Sequence, residues 1–276
     1  MKINWIGCKQ KLLPQIIPHL PKQFKTYYEP FLGSGVLYFY LKPAKAILND
    51  YDPELITLWR QSFQNPDHFV CKVQKIENYL YQHHDQTQQK QAFKHLLNQY
   101  NQNSRKSKKL TRSAIFYVLN KYAFQGITRY DRHNNLKSTF GYKPKQKTPI
   151  INLNQLIAYQ HHFQKNKHGL YCRDFRKIIA SSQQGDFLFC DPPYYYEGMK
   201  EKNFYQKPFT FTDHQQLALE LHQATKRGVK WLYTNYATPA ILNLFPNANL
   251  IKIKTTTNHY FANKNSKQEI IIKNYI

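Results

Sequence analysis

The chain has 276 residues, 40 of them Lys or Arg and 16 Asp or Glu, which gives a net charge of +24. This length holds one large domain or two modest ones with real cores, and so large a positive excess implies a polyanionic partner. No apolar run of ~18 residues, leader pattern or basic amphipathic helix is present, so a membrane surface is the less favoured partner and a cytoplasmic protein is expected.

The first predicted strand covers residues 26–31 and runs into Leu32-Gly33-Ser34-Gly35, then into an apolar helical stretch at 36–41. A second strand at 44–48 ends at Asn49-Asp50, and Pro53 suits the first turn of the next helix. This strand, Gly-rich turn, helix, strand and acid pattern opens a doubly wound sheet. The alternation then stops. Residues 54 to 122 read as helical, broken by a Gln/His-rich stretch at 81–91 and a basic run at 104–109. Residues 124–143 read as a hairpin or extended loop, and 143–149, rich in Pro and Lys, as a linker.

Alternation resumes with a helix from Asn152, a strand at 169–172, a helix after Asp174 and a strand at 187–190. Thr212-Asp213-His214-Gln215 fits a capping box, with Leu217, Leu221 and Ala224 on one helical face behind it. A strand at 229–234, a short helix at 238–245 and an antiparallel pair, 250–254 with 269–273, complete the pattern. The economical architecture is one discontinuous α/β domain, 1–52 with 146–276, interrupted by a helical, basic insertion at 53–145.

Charge is uneven along the chain. Residues 101–147 hold 12 basic residues and one acid, Asp131, whereas 51–100 hold five of each sign. Such a block within a folded chain reads first as a nucleic-acid footprint. Cys8, Cys71, Cys172 and Cys190 are scattered, with no CxxC pair, and read as reduced thiols. The pairs His83-His84 and His161-His162 lack companions to complete a metal site, so no metal is expected.

The most informative segment is Phe187-Leu-Phe-Cys-Asp-Pro-Pro-Tyr194. Prolines cannot continue a central ladder, so Asp191, Pro192, Pro193 and Tyr194 form a stiff loop at the strand's carboxyl end, where open α/β sheets bind ligands. A carboxylate, a carbonyl and an aromatic face suit a planar base with an exocyclic amine; an ordinary strand-ending turn is the alternative. Gly33 and Gly35 allow a sharp bend and close backbone approach. Asp50 ends the next strand, where an acid accepts from ribose hydroxyls. Together they favour a nucleoside cofactor, although the full pyrophosphate cradle of a dinucleotide site is missing.

With these residues assembled, the chain closely resembles the Dam-like subgroup of DNA adenine-N6 methyltransferases over nearly its full length. Trp5-Ile-Gly-Cys-Lys9 is similar to the subgroup's Trp-x-Gly-Gly-Lys segment, Glu29-Pro-Phe-Leu-Gly-Ser-Gly35 to its Pro-Phe-x-Gly-x-Gly motif, Asn49-Asp50 to its ribose-binding acid and Asp191–Tyr194 to its catalytic tetrapeptide. The resemblance implies a doubly wound S-adenosylmethionine-dependent methyltransferase core with a helical and hairpin target-recognition insertion. It implies cofactor contacts from Trp5, Lys9, Phe31, Gly33, Gly35, Asp50, Asp174 and Asp191. Cys8 replaces the usual glycine, which matters if that position needs positive φ.

The catalysis so implied is direct transfer to adenine N6 in double-stranded DNA, with the base flipped out against Tyr194. Gln125-Gly-Ile-Thr-Arg-Tyr130 resembles the segment that presents an arginine to a guanine, so Arg129 reads a base edge or a phosphate. Arg105, Lys106, Lys108, Lys109 and Arg112 are expected on phosphates, with Tyr142 beside them; a solvated loop is the alternative. Thr139 and Tyr142 stand where GATC-methylating relatives carry proline and arginine, which leaves the site open between GATC and a related sequence. Another basic stretch, 259–267, reads as a loop beside the catalytic edge. The expected assembly is a monomer or a weak dimer on DNA, with a cognate restriction endonuclease as a further partner. The rival readings are a cytosine-N4 or RNA-base methyltransferase and a catalytically idle DNA-binding module.

Overall fold

A computed structural model describes residues 1–82, 85–102, 109–142, 149–197, 207–254 and 268–276. The helices are α1 (Leu13–Ile16), α2 (Val36–Leu41), α3 (Pro53–Gln64), α4 (Pro66–Tyr81), α5 (Gln86–Gln102), α6 (Lys109–Tyr122), α7 (Leu153–Lys165), α8 (Phe175–Ala180), α9 (Phe211–Lys226) and α10 (Pro239–Leu242). The strands are β1 (Tyr27–Glu29), β2 (Ala46–Asn49), β3 (Arg129–Tyr130), β4 (Leu136–Lys137), β5 (Gly169–Tyr171), β6 (Phe187–Cys190), β7 (Lys230–Tyr236), β8 (Asn249–Ile253) and β9 (Glu269–Lys273). The described residues of 1–6 and 52–165 with Lys207 form one compact unit, and those of 7–51, 166–197 and 208–276 form the other.

The second unit is a seven-stranded sheet in the order β5-β2-β1-β6-β7-β9-β8. The five strands from β5 to β7 run parallel, while β9 is antiparallel to both neighbours. The chain winds outward from β1 to β2 and β5, then returns to β6 and continues through β7. The order reverses between β1 and β6, and their carboxyl ends flank the crevice where such sheets bind ligands. β6 reads as a continuous apolar run because all four of its residues are buried. On one sheet face, Tyr28, Leu188, Trp231, Tyr233 and Ile270 pack with Ile178, Ile179, Leu217 and Leu221 of α8 and α9.

The capping box of α9 lies two residues upstream of the predicted one. Thr210 and Asp213 exchange the reciprocal bonds, with Thr210 N–H donating to Asp213 Oδ2 at 2.7 Å. Thr212 therefore sits inside the helix, and His214 is buried rather than part of a cap.

The first unit is helical. Asp52 caps α3 by accepting from Glu54 N and Leu55 N, and Pro53 stands in the first turn as its fixed φ favours. α6 is buried on all sides from Arg112 to Asn120. α7 packs on α3 and α4, so this unit runs to residue 165 and the sheet resumes at 166 rather than 146. β3 and β4 form the expected hairpin, pairing Arg129 with Lys137 and Tyr130 with Leu136. Most of the expected linker and the stretch 259–267 lie outside the described residues. Among the described residues, no helix is long and apolar enough to cross a membrane and no cluster of ligating side chains would hold a metal.

Candidate active site

Three loops follow the carboxyl ends of β1, β2 and β5. Gly33 and Gly35 adopt φ of 49° and 64°, the left-handed region where a Cβ is penalised. A side chain at Gly35 would also come within 2.9 Å of Phe39. Asp50 Oδ2 accepts from Gly33 N at 2.8 Å and so fixes the glycine loop to the end of β2. Buried Asn49 ties two of these loops together, donating to Pro30 O (2.9 Å) and Arg173 O (3.0 Å) and accepting from Arg173 N (2.9 Å). Phe31 packs on Phe175 with ring centroids 5.4 Å apart. Asp174 caps α8 through Arg176 N and is paired with the Arg176 guanidinium at 2.7 Å.

The centre is Asp191. Its Oδ1 accepts from Lys9 Nζ at 2.7 Å and from Thr234 Oγ1 at 2.6 Å. Among the described residues, Oδ2 takes no hydrogen bond. Lys9 is buried and also donates to Gly7 O at 2.7 Å, and its ammonium lies 4.4 Å from the centroid of the Tyr194 ring. Tyr194 meets Tyr236 edge-on at 4.8 Å and donates to Glu269 Oε2 at 3.3 Å. Burial raises the Glu269 pKa, an effect partly opposed by the Lys9 charge. Glu29 is buried beneath the same edge and accepts from Tyr27 OH at 2.9 Å; burial holds its pKa well above the usual carboxylate range.

Further polar residues brace the loop from Asp191 to Tyr194. Asn235 Oδ1 accepts from the backbone N–H of Tyr195 (3.0 Å) and of Tyr236 (2.8 Å), while its Nδ2 donates to Tyr233 OH (2.6 Å). Tyr233 OH is also 3.0 Å from His214 Nδ1. Thr234, Asn235, Glu269 and His214 were not foreseen from the sequence. The available signal was a pair of polar residues, Thr234-Asn235, ending an otherwise apolar strand.

The structure thus brings together Lys9, Asp191 and Tyr194, and separately Gly33 with Asp50 and Phe31 with the segment after β5. Pro192 is buried and Pro193 half-buried between Asp191 and Tyr194. Trp5 belongs to the helical unit, whereas Lys9 belongs to the sheet. Gly7 takes the positive φ, 81°, while Cys8 has φ −50°; a cysteine therefore fits this turn without strain.

In the helical unit, Lys109, Arg129 and Tyr142 are exposed. Arg105, Lys106 and Lys108 lie outside the described residues. Arg112 corrects its prediction. It is buried, gives a two-pronged bond to Glu54 (3.0 and 3.1 Å) and stacks 3.8 Å over the Tyr100 ring. Its charge is spent inside the helical core, so it is not a phosphate ligand.

Residues 5–259 match the family described as D12 class N6 adenine-specific DNA methyltransferase. The chain is 30% identical to the Type II methyltransferase M1.LlaDCHI of Lactococcus lactis subsp. cremoris, over 99% of this chain and 94% of that protein. It is 29% identical to the DNA N-6-adenine-methyltransferase of Escherichia phage P1, over 88% of this chain but 30% of that longer protein. Against the DNA adenine methylase of Vibrio cholerae serotype O1 the identity is 24%, over 98% and 94% of the two chains.

Proposed function

The chain belongs to the D12 class of N6 adenine-specific DNA methyltransferases, and from that premise we propose that Asp191 and the Pro192 carbonyl grip the amine of a flipped-out adenine. The observation carrying this assignment is the division of labour on Asp191. Lys9 and Thr234 both bind Oδ1, which orients the carboxylate and directs Oδ2 to an incoming N–H donor.

S-adenosylmethionine fits the neighbouring loops. Gly33 and Gly35 leave no side chain in the turn after β1, and Asp50 and Asp174 stand after β2 and β5 on the same edge as Asp191. A carboxylate-rich edge suits a ligand carrying both a sulfonium and an ammonium charge. In this reading Lys9, Phe31, Gly33, Gly35, Asp50, Asp174 and Asp191 surround the cofactor, and Asp50 accepts from ribose hydroxyls. When bound, the cofactor supplies an electrophilic methyl.

The adenine N6 lone pair is delocalised into the ring, so the amine is a poor nucleophile. Hydrogen bonds from N6 to Asp191 Oδ2 and Pro192 O favour a tetrahedral nitrogen and localise that pair towards the methyl. Pro192 and Pro193 stiffen the loop, and Tyr194 offers the aromatic surface for the extruded base. The rest of the rate enhancement comes from in-line positioning and preorganised charge. No covalent enzyme intermediate is required.

Target choice falls to the helical unit, with Arg129 on the hairpin as the base reader and Lys109 and Tyr142 beside the backbone. The Type II name of the Lactococcus relative supports a cognate restriction endonuclease as a partner, and a monomer or weak dimer on DNA is the working assembly. Transfer of labelled methyl to duplex DNA, with product nucleosides separated by mass spectrometry, tests the chemistry. Label in N6-methyladenine is expected; label in N4-methylcytosine or in RNA alone overturns it. Asp191→Ala abolishes turnover while keeping most DNA binding, and retained turnover removes Asp191 from catalysis.

A further inference from the structure

We propose that the amino-terminal edge of the sheet, opposite the catalytic edge, is a second contact surface for the phosphate backbone of duplex DNA. The proposal rests on duplex DNA being the substrate. It adds a site that never meets the target base.

The residue just before or opening four of the five parallel strands is an exposed lysine or lies beside one. Lys45 and Lys25 precede β2 and β1 by one and two positions, Lys167 precedes β5 by two, and Lys230 opens β7. Backbone hydrogen bonds lock these starts side by side. Tyr27 N donates to Lys45 O (2.9 Å), Lys25 N to Gly185 O (2.8 Å) and Lys230 N to Asp186 O (3.1 Å). His168 Nε2 lies 3.4 Å from Ala44 O on the β5 side. Strands sit about 4.8 Å apart, so the row from β5 to β7 spans about 19 Å of rigid edge.

Acids are segregated from this edge. Among the described residues of the sheet unit, Glu29, Asp50, Asp174, Asp191, Glu197, Asp213 and Glu269 lie at strand carboxyl ends, at helix starts or in the loop after β6, and at the start of antiparallel β9, all on the catalytic side. Glu220 is midway along α9. Asp186 alone belongs to the lysine edge, and it is buried with its two oxygens accepting from Thr26 N (3.1 Å) and Gln183 N (2.9 Å). No ion pair joins Lys25, Lys45, Lys167 or Lys230 to an acid among the described residues.

Helix dipoles explain only part of the row, since of its four lysines Lys167 alone follows a helix end closely, two residues after α7. Exposed Lys42 and Lys226 sit at the carboxyl ends of α2 and α9, where a cation complements the macrodipole. Lys25, Lys45 and Lys230 introduce strands, which have almost no net dipole to complement. A row of lysines, of which Lys230 also lies 5.9 Å from the centroid of the Tyr275 ring, suits non-specific contact with phosphates rather than base reading. The partner commits to DNA because the substrate is itself a long polyanion. Once one segment occupies the catalytic edge, another segment of the same molecule is at high effective concentration.

The test mixes the full chain with donor- and acceptor-labelled ~16 bp duplexes, about one and a half helical turns. Energy transfer between duplexes is expected for the parent. It is lost in the Lys25→Gln, Lys45→Gln, Lys167→Gln and Lys230→Gln quadruple variant, which still methylates a single short duplex as fast as the parent. The variant's log–log salt slope for binding longer DNA should shrink by about 3 to 4, from ~0.9 per phosphate contact. Absence of transfer in the parent, or its persistence in the variant as a dimer bridging through two catalytic edges would give, overturns the proposal. So does lysine-dependent binding to phosphatidylserine vesicles without DNA bridging. If the parent methylates no duplex at all, the functional reading fails instead, whatever the bridging result.

Discussion

At the scale of single residues, the proposed chemistry turns on one carboxylate, Asp191, whose Oδ1 is bound by Lys9 and Thr234. Thr234 is fully buried, and its hydroxyl can reach Asp191 Oδ1 because β7 lies beside β6 in register, with Cys190 opposite Tyr233. Thr234→Val keeps the shape and removes the donor. A hydrogen bond to a charged group is worth ~1.5–3 kcal/mol, so kcat should fall about tenfold to a hundredfold. KM for DNA should stay near the parent value, because Lys9 still neutralises the carboxylate; steady-state kinetics on a duplex containing the site separate the two. An unchanged kcat would remove Thr234 from the positioning of Asp191. His214 makes a different demand. Burial lowers its pKa to about 4, from an unfolded value of 6.5, so the folded chain holds a neutral imidazole under Tyr233. Between those values the unfolded chain binds the extra proton, and stability falls as pH drops from 6.5 towards 4. His214→Asn retains an acceptor near Tyr233 and removes the titration. Its urea midpoint should change less than the parent's between pH 7 and pH 4.5.

At the scale of elements, Arg112 shows how the same side chain reads differently from sequence and from fold. In the sequence it closes a basic run; in the structure α6 is enclosed by α3, α4 and α5, and the arginine is turned inward onto Glu54 in the first turn of α3. Removing one partner of a buried pair strands the other charge, at a cost of ~3–5 kcal/mol. Arg112→Met should therefore destabilise the helical unit by that amount in denaturant titrations, and Glu54→Leu with Arg112→Met should recover most of it. A single variant as stable as the parent would show the pair to be dispensable. Local signals were legible: the apolar run of β6, the glycine turn after β1 and the proline opening α3 each rest on neighbours in the chain. The rotation of α6 was not, because it depends on three helices packing around it. Thr210 and Thr212 each satisfy the capping-box spacing, and only the reciprocal bond from Asp213 selects the first. Thr234 reaches the site because β7 pairs with β6, and Glu269 because β9 inserts beside β7 out of sequence.

At the scale of the whole molecule, a net charge of +24 acts together with a fold that sorts its charges. Most carboxylates of the sheet unit gather where the parallel strands end and four exposed lysines stand where they begin, while the exposed Arg129 of the helical unit is the candidate base reader. Attraction to phosphate is then common to every duplex, and discrimination between duplexes depends on few groups. These two contributions separate with salt. Raising KCl from about 50 to 200 mM should lower the affinity for any duplex by roughly a thousandfold or more if six or more phosphates are neutralised, through counterion release. The ratio of affinities for duplexes with and without the methylated site should hardly move, because hydrogen bonds to base edges release few ions. Arg129→Ala should do the reverse: a loss of ~1–3 kcal/mol confined to duplexes bearing the read guanine, with the salt slope kept. Competition binding across the salt range, with parent and variant in parallel, measures both. A uniform loss with a shallower slope would place Arg129 among the phosphate contacts and move the base-reading role elsewhere in the helical unit.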